Sequence, residues 1–156
     1  TIQNYSSPSY DGAWTCKVTD SGNAGLSQTA TTTPITTIGL LVLNSDDAEM
    51  NGVSLTLDGG PPIGSNATAV TDGTKVKMTC YPPTGGLAPI IYTWKKGEEV
   101  ITNDTTGVVI VLTESGVSMC TIASYISTSF DGVWKCEVTD DKGQTVTGGP
   151  INLNQA

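Results

Sequence analysis

The sequence contains no histidine and no arginine. Without an imidazole, neither a Ser-His-Asp nor a Cys-His mechanism nor a histidine metal site can be assembled from this chain. Without a guanidinium, and with 7 Lys against 15 acidic residues for a formal charge of -8, a surface that neutralises a row of phosphates is excluded, and nucleic acid with it. Charge of either sign is scarce, at 14 % of residues against about 25 % in an average globular chain. No apolar run reaches the roughly 18 residues of a membrane span. Thr1-Ile2-Gln3-Asn4 has neither the basic nor the apolar character of a leader, so no membrane insertion is expected within this segment. No window carries a sustained helical period.

What the 156 residues do contain is 25 Thr, 18 Gly and 8 Pro. That is the profile of a turn-rich all-β protein, since β-branched side chains favour pleated backbone. Short apolar runs at 53–58, 67–70, 74–81, 90–95, 108–112, 116–122, 132–139 and 144–151 read as strands. Between them lies turn chemistry such as Asp58-Gly59-Gly60-Pro61-Pro62, Asp72-Gly73 and Lys142-Gly143. The pattern predicts an antiparallel sandwich of two sheets.

An internal repeat organises the chain. Residues 10–20, YDGAWTCKVTD, recur at 130–140 as FDGVWKCEVTD, and the offset of 120 residues extends without a gap back to Thr1-Ile2 opposite Thr121-Ile122. The second copy has about 70 residues of strand-like sequence ahead of this match, and the first has none. The expectation is therefore that 1–37 are the terminal strands of one sandwich, that 38–52 connect, and that 53–156 form a complete sandwich.

Alternation assigns faces. Val76, Met78 and Cys80 share one side of their strand, and Trp134, Cys136 and Val138 one side of theirs, with Lys and Glu opposite. A Cys ending a strand (Cys80), a Trp 14 residues later (Trp94) and an Asp-Gly-x-aromatic-x-Cys strand ending at Cys136 together resemble the immunoglobulin superfamily, in tandem and extracellular or at a cell surface. The resemblance covers about 52–153, with its last third repeated at 1–37. It implies an immunoglobulin-like β-sandwich, a Cys80–Cys136 bridge between the sheets, and Trp94 packed on that bridge. Trp134, like Trp14 in the first copy, stands where the family usually has a tyrosine, so the usual tyrosine corner is not available, although an indole N–H could still donate to a backbone carbonyl.

Four Cys allow three pairings. With Cys80 and Cys136 joined, a Cys16 to Cys120 bridge would have to link two modules. The expectation for these two is a thiol or an intermolecular contact, with Cys120 read either as a small buried core residue or as an assembly contact.

Three N-x-[ST] triplets begin at Asn4, Asn66 and Asn103. They are N-glycan acceptors or plain polar loop positions, and the Thr- and Pro-dense 28–37 suits O-linked sugars. The connector Ile38-Gly39-Leu40-Leu41-Val42-Leu43 does not alternate, which predicts burial of both faces. It reads either as a donor strand for another subunit or as a strand running on between the modules. Asp46, Asp47 and Glu49 form the densest acidic cluster, either solvated or holding Ca²⁺ by their oxygens. No other metal or cofactor is expected.

The carboxylates Asp11, Asp72, Asp131 and Asp140 fall in turns, where Asp caps backbone, and no nucleophile or paired-acid constellation stands out. Two functional readings follow. One is a non-enzymatic extracellular structural protein whose modules assemble into a filament or stalk by strand sharing, disulfides and glycosylated surfaces. The other is an adhesion or recognition module that binds a protein or glycan through loops 82–89 and 140–144. Those loops have one aromatic nearby, Tyr81, a thin supply of binding hot spots.

Overall fold

The computed structural model describes residues 12–14, 16–20, 28–31, 35–37, 40–43, 52–63 and 67–156. The chain divides into two units, Thr1–Leu40 and Leu41–Ala156. In the first unit the strands are β1 (Gly12–Trp14), β2 (Lys17–Asp20), β3 (Gln28–Thr31) and β4 (Ile35–Thr37). β1 pairs antiparallel with β4, Trp14 opposite Ile35, and β2 pairs antiparallel with β3, Asp20 opposite Gln28.

The second unit begins with β5 (Val42–Leu43), β6 (Val53–Leu57), β7 (Ala67–Val70), β8 (Val76–Cys80) and β9 (Pro83–Thr84). It continues through β10 (Ile91–Lys96), β11 (Glu99–Ile101), β12 (Val108–Leu112), β13 (Ser118–Ile122), the single turn of helix α1 (Ser127–Phe130), β14 (Gly132–Thr139) and β15 (Thr145–Gln155). One sheet has the order β12-β13-β8-β6 and the other β11-β10-β14-β15-β7. This is an all-β, immunoglobulin-like sandwich.

Its core follows from the alternation. Val76, Met78 and Cys80 of β8 point inward and are fully buried, as are Trp134, Cys136 and Val138 of β14. On the opposite face of β14, Lys135 and Glu137 meet Glu98 and Lys95 in surface ion pairs. The Cys80–Cys136 disulfide joins the two sheets across a Cα separation of 6.4 Å, within the span that a bridge accommodates. Trp94 lies directly beside it in the ladder, opposite Cys136, and is buried. Its indole N–H donates to the buried Ser118 Oγ at 3.0 Å, so the ring is packed and its one polar atom is satisfied.

Three features depart from the sequence reading. β7 runs parallel to β15, because it reaches that strand by a crossover rather than a hairpin. The short strand β9 falls in the loop expected at 82–89, and β11 and the helical turn α1 fall in stretches where the sequence predicts no element. β15 extends to Gln155 through Pro150, which has no N–H to give the ladder. The register there shifts between Trp134 and Cys136, with Gly149 in the left-handed region at φ +97°.

Candidate functional site

Loops 82–89 and 140–144 lie at one end of the sandwich, and a single carboxylate ties them together. Asp140 Oδ1 accepts the backbone N–H groups of Lys142 (2.9 Å) and Gln144 (2.8 Å), closing the β14–β15 turn. Its Oδ2 accepts the Leu87 N–H at 3.1 Å and the Gln144 side-chain amide at 2.8 Å. The Asp141 N–H returns a bond to the Leu87 carbonyl at 2.9 Å. Burial alone would raise the Asp140 pKa, but the hydrogen bonds from Gln144, Leu87 and Lys142 outweigh it and hold the carboxyl below its ordinary value. The sequence reading of Asp140 as a turn cap describes half of this arrangement; the reach across to Leu87 needs the fold.

Into the same end goes part of the connector. Leu41 is 1 % exposed, and its N–H points to Gln144 Oε1 at 3.4 Å. A Cβ added to Gly86 would stand 2.7 Å from Leu41 Cδ1, so glycine is what lets Leu41 seat there. Val42 and Leu43 pair with Thr84 and Pro83. The expectation that both faces of the connector are buried is corrected: Leu40 is 73 % exposed and Val42 46 %, because β5 is a short strand with only one covered face. The pairing partner of β5 lies in the same chain rather than in another subunit. The loop end is thus filled by Leu41 and braced by Asp140.

At the opposite end, the repeated Asp-Gly-x-Trp segment forms a corner. The Trp134 N–H donates to the Phe130 carbonyl at 3.0 Å, and both groups are buried. The Tyr125 hydroxyl donates to Asp131 Oδ1, and burial together with that bond raises the tyrosine pKa. The Tyr125–Asp131 pair was missed from sequence, although the signal is there: Tyr5 and Asp11 stand at the same spacing in the first copy. A hollow of about 410 Å³ beside this corner is lined by Ile101, Ile126, Phe130 and Trp134 together with Lys96 and Glu99. The Lys96 ammonium donates to the Ser129 carbonyl at 2.6 Å.

The remaining positions singled out in the sequence are scattered. Cys120 is fully buried in β13, and desolvation pushes its thiol up to about 12. An intermolecular bridge at this position would require β13 to open. Cys16 is exposed. Asn103 is exposed in the turn before β12, whereas Asn4, Asn66, Asp46, Asp47 and Glu49 lie outside the described residues. The side chain of Trp14 lies outside them as well. Among the described residues no three Asp, Glu, His or Cys side chains come together as a metal site. No helix among them is long and apolar enough to cross a membrane.

The fold and its corner define the class: an immunoglobulin-like module with one inter-sheet disulfide, a bond that fits an oxidising compartment. No family model and no curated protein matches the sequence. Among solved structures the chain is similar to the Ig7 domain of Dscam1. Isoform 9 is 25% identical over 58% of this chain and 88% of that one, with a TM-score of 0.47. Isoform 5 is 20% identical over 66% of this chain and 99% of that one, with a TM-score of 0.48. A tandem pair of titin Ig domains is 14% identical over 94% of this chain and 63% of that one, with a TM-score of 0.46.

Proposed function

We propose that this chain is a non-enzymatic, extracellular structural protein whose immunoglobulin-like modules assemble with neighbouring copies into a filament or stalk, contacting one another through strand surfaces, with glycans on exposed asparagines. One observation carries the reading. Among the described residues the large apolar side chains left exposed sit mostly on strands, not loops: Val42, Ile91, Val100, Val109, Val111, Leu112 and Val133, against Leu40, Tyr81, Leu87 and Ile126 elsewhere. Val109, Val111 and Leu112 are neighbours on one strand, β12, and exposed apolar side chains grouped in this way suit contact with another macromolecule. A module that recognised ligands through its loops would concentrate aromatics there, and here the loop end is filled by Leu41.

The test is electron microscopy and sedimentation of the protein at its source. Ordered fibres or discrete oligomers are the expected result. Dispersed monomers that capture a protein or glycan ligand would overturn the reading in favour of an adhesion module.

A further inference from the structure

Among the described residues β12 is the outer strand of its sheet, flanked on one side by β13 and on the other by no strand. It lies in an uncharged run, 105–113, between Asp104 and Glu114. Val109, Val111 and Leu112 are 53, 46 and 58 % exposed. An outer strand of this kind, β-branched, apolar and without Lys or Pro, is a template on which a second copy can add a strand. Proteins that keep such an edge also blunt it, and the device here is a side chain.

Asn103 lies seven residues before Ile110 and folds back onto it. Ile110 N–H donates to Asn103 Oδ1 at 2.6 Å, and Asn103 Nδ2 donates to the Ile110 carbonyl at 3.2 Å. The carboxamide thus satisfies both outward backbone groups at the middle of the strand, as a neighbouring strand would. The turn that carries it is held by its own bonds: Thr102 N–H to Thr105 Oγ1 and Asp104 N–H to Thr102 Oγ1, each 3.2 Å. The next outward N–H, that of Val108, is taken by the Thr105 carbonyl at 3.1 Å. Outward groups recur at alternate residues of an edge strand, so 108 and 110 are both engaged within the chain.

We propose that Asn103 is an edge guard: its carboxamide occupies the position of a partner strand on β12 and thereby prevents strand addition by a second copy. This does not depend on the functional reading above, which concerns side-chain surfaces and wild-type assembly.

The same nitrogen is the acceptor of the Asn103-Asp104-Thr105 triplet. N-glycosylation by an activated sugar phosphate exchanges one Nδ2–H for a bond to the anomeric carbon, the proton and the phosphate leaving group departing. In the extended amide that results, the sugar replaces the hydrogen on the Oδ1 side, and that hydrogen is the one a two-point pairing with Ile110 uses. Amide guarding and glycan attachment therefore exclude each other, and a glycosylated chain can shield this edge only by the bulk of its sugar.

The test uses the full chain made in an oxidising bacterial compartment that adds no N-glycans. Asn103→Ala is expected to speed amide hydrogen exchange at Ile110 at least about tenfold, the loss of roughly 1.4 kcal/mol of protection or more. It is also expected to raise self-association above wild type in sedimentation velocity. In a Val109→Lys background, Asn103→Ala should add no association beyond that of Val109→Lys alone, since a charge on an edge strand blocks pairing. Asn103→Ser, too short to reach both groups, should behave like the alanine variant and serves if alanine perturbs the fold. Unchanged Ile110 exchange in both variants overturns the guard; so does added association that Val109→Lys leaves intact. In protein secreted by glycosylating cells, Ile110 protection undiminished in molecules that carry a sugar on Asn103 would overturn the exclusion.

Discussion

At the scale of single residues, Asp140 is a carboxylate that does structural work by being charged. It accepts four hydrogen bonds from two loops while 3 % exposed, and these bonds hold its pKa below the ordinary 3.8. A carboxyl with a lowered folded-state pKa stabilises the fold above the unfolded value, and that contribution fades as pH falls through the lower folded value. The wild type should therefore exceed Asp140→Asn in stability at neutral pH, with the gap narrowing progressively as the pH drops below about 3.8. Urea midpoints of the two proteins at a series of pH values measure it, and a gap independent of pH would show that the charge is irrelevant. Sequence placed Asp140 in a turn because Asp after Val-Thr and before Asp-Lys-Gly caps backbone well. It could not show the bond to Leu87, whose loop lies 53 residues away in sequence.

At the scale of elements, what was legible was whatever alternates. β14 buries one face and β8 puts its apolar residues on one, although Thr79 opposite them is buried as well, so the two-residue period appears in the letters and fixes which side holds Cys80 and Cys136. The connector shows the converse. Leu40, Leu41, Val42 and Leu43 are chemically alike, and the letters hide that Leu41 goes in while Leu40 and Val42 face out. β11 was missed because Glu99-Val100-Ile101 is short and holds a charge. The elements are bound across the sheets by the disulfide between β8 and β14, which closes a loop over a separation of 56 residues. Chain entropy gives such a cross-link about 4 kcal/mol. Replacing both cysteines, Cys80→Ala with Cys136→Ala, should lower unfolding free energy by about that amount plus the cost of two small core truncations. Chemical denaturation of the double variant against the oxidised wild type measures the loss. An equally stable variant would mean that packing around Trp94 and Trp134 already supplies the tie.

At the scale of the whole chain, the repeat points to two related modules, and the alternation and turns supply the sandwich of the second. The boundary between units is a finer matter. The strand-like pattern begins at Val53, which suggests 53–156 as the module, yet the structure divides at Leu40/Leu41 and seats Leu41 under Gly86, Asp140 and Gln144. A single buried leucine is invisible to periodicity, since one side chain makes no period. Its energetic weight is not small: full burial of a leucine is worth about 1.5–3 kcal/mol, and leaving its seat empty also exposes the loop ends that Asp140 holds. Two fragments therefore separate the alternatives. Residues 41–156 should fold with one cooperative transition, and residues 53–156 should unfold with a midpoint shifted by about 2 kcal/mol of lost stability, the Leu41 burial. The 53–156 fragment should also show faster amide exchange at Leu87 and Gln144, where the brace has lost its cover. Equal midpoints and equal exchange would place the working boundary at Val53 and reduce residues 41–43 to a passive connector.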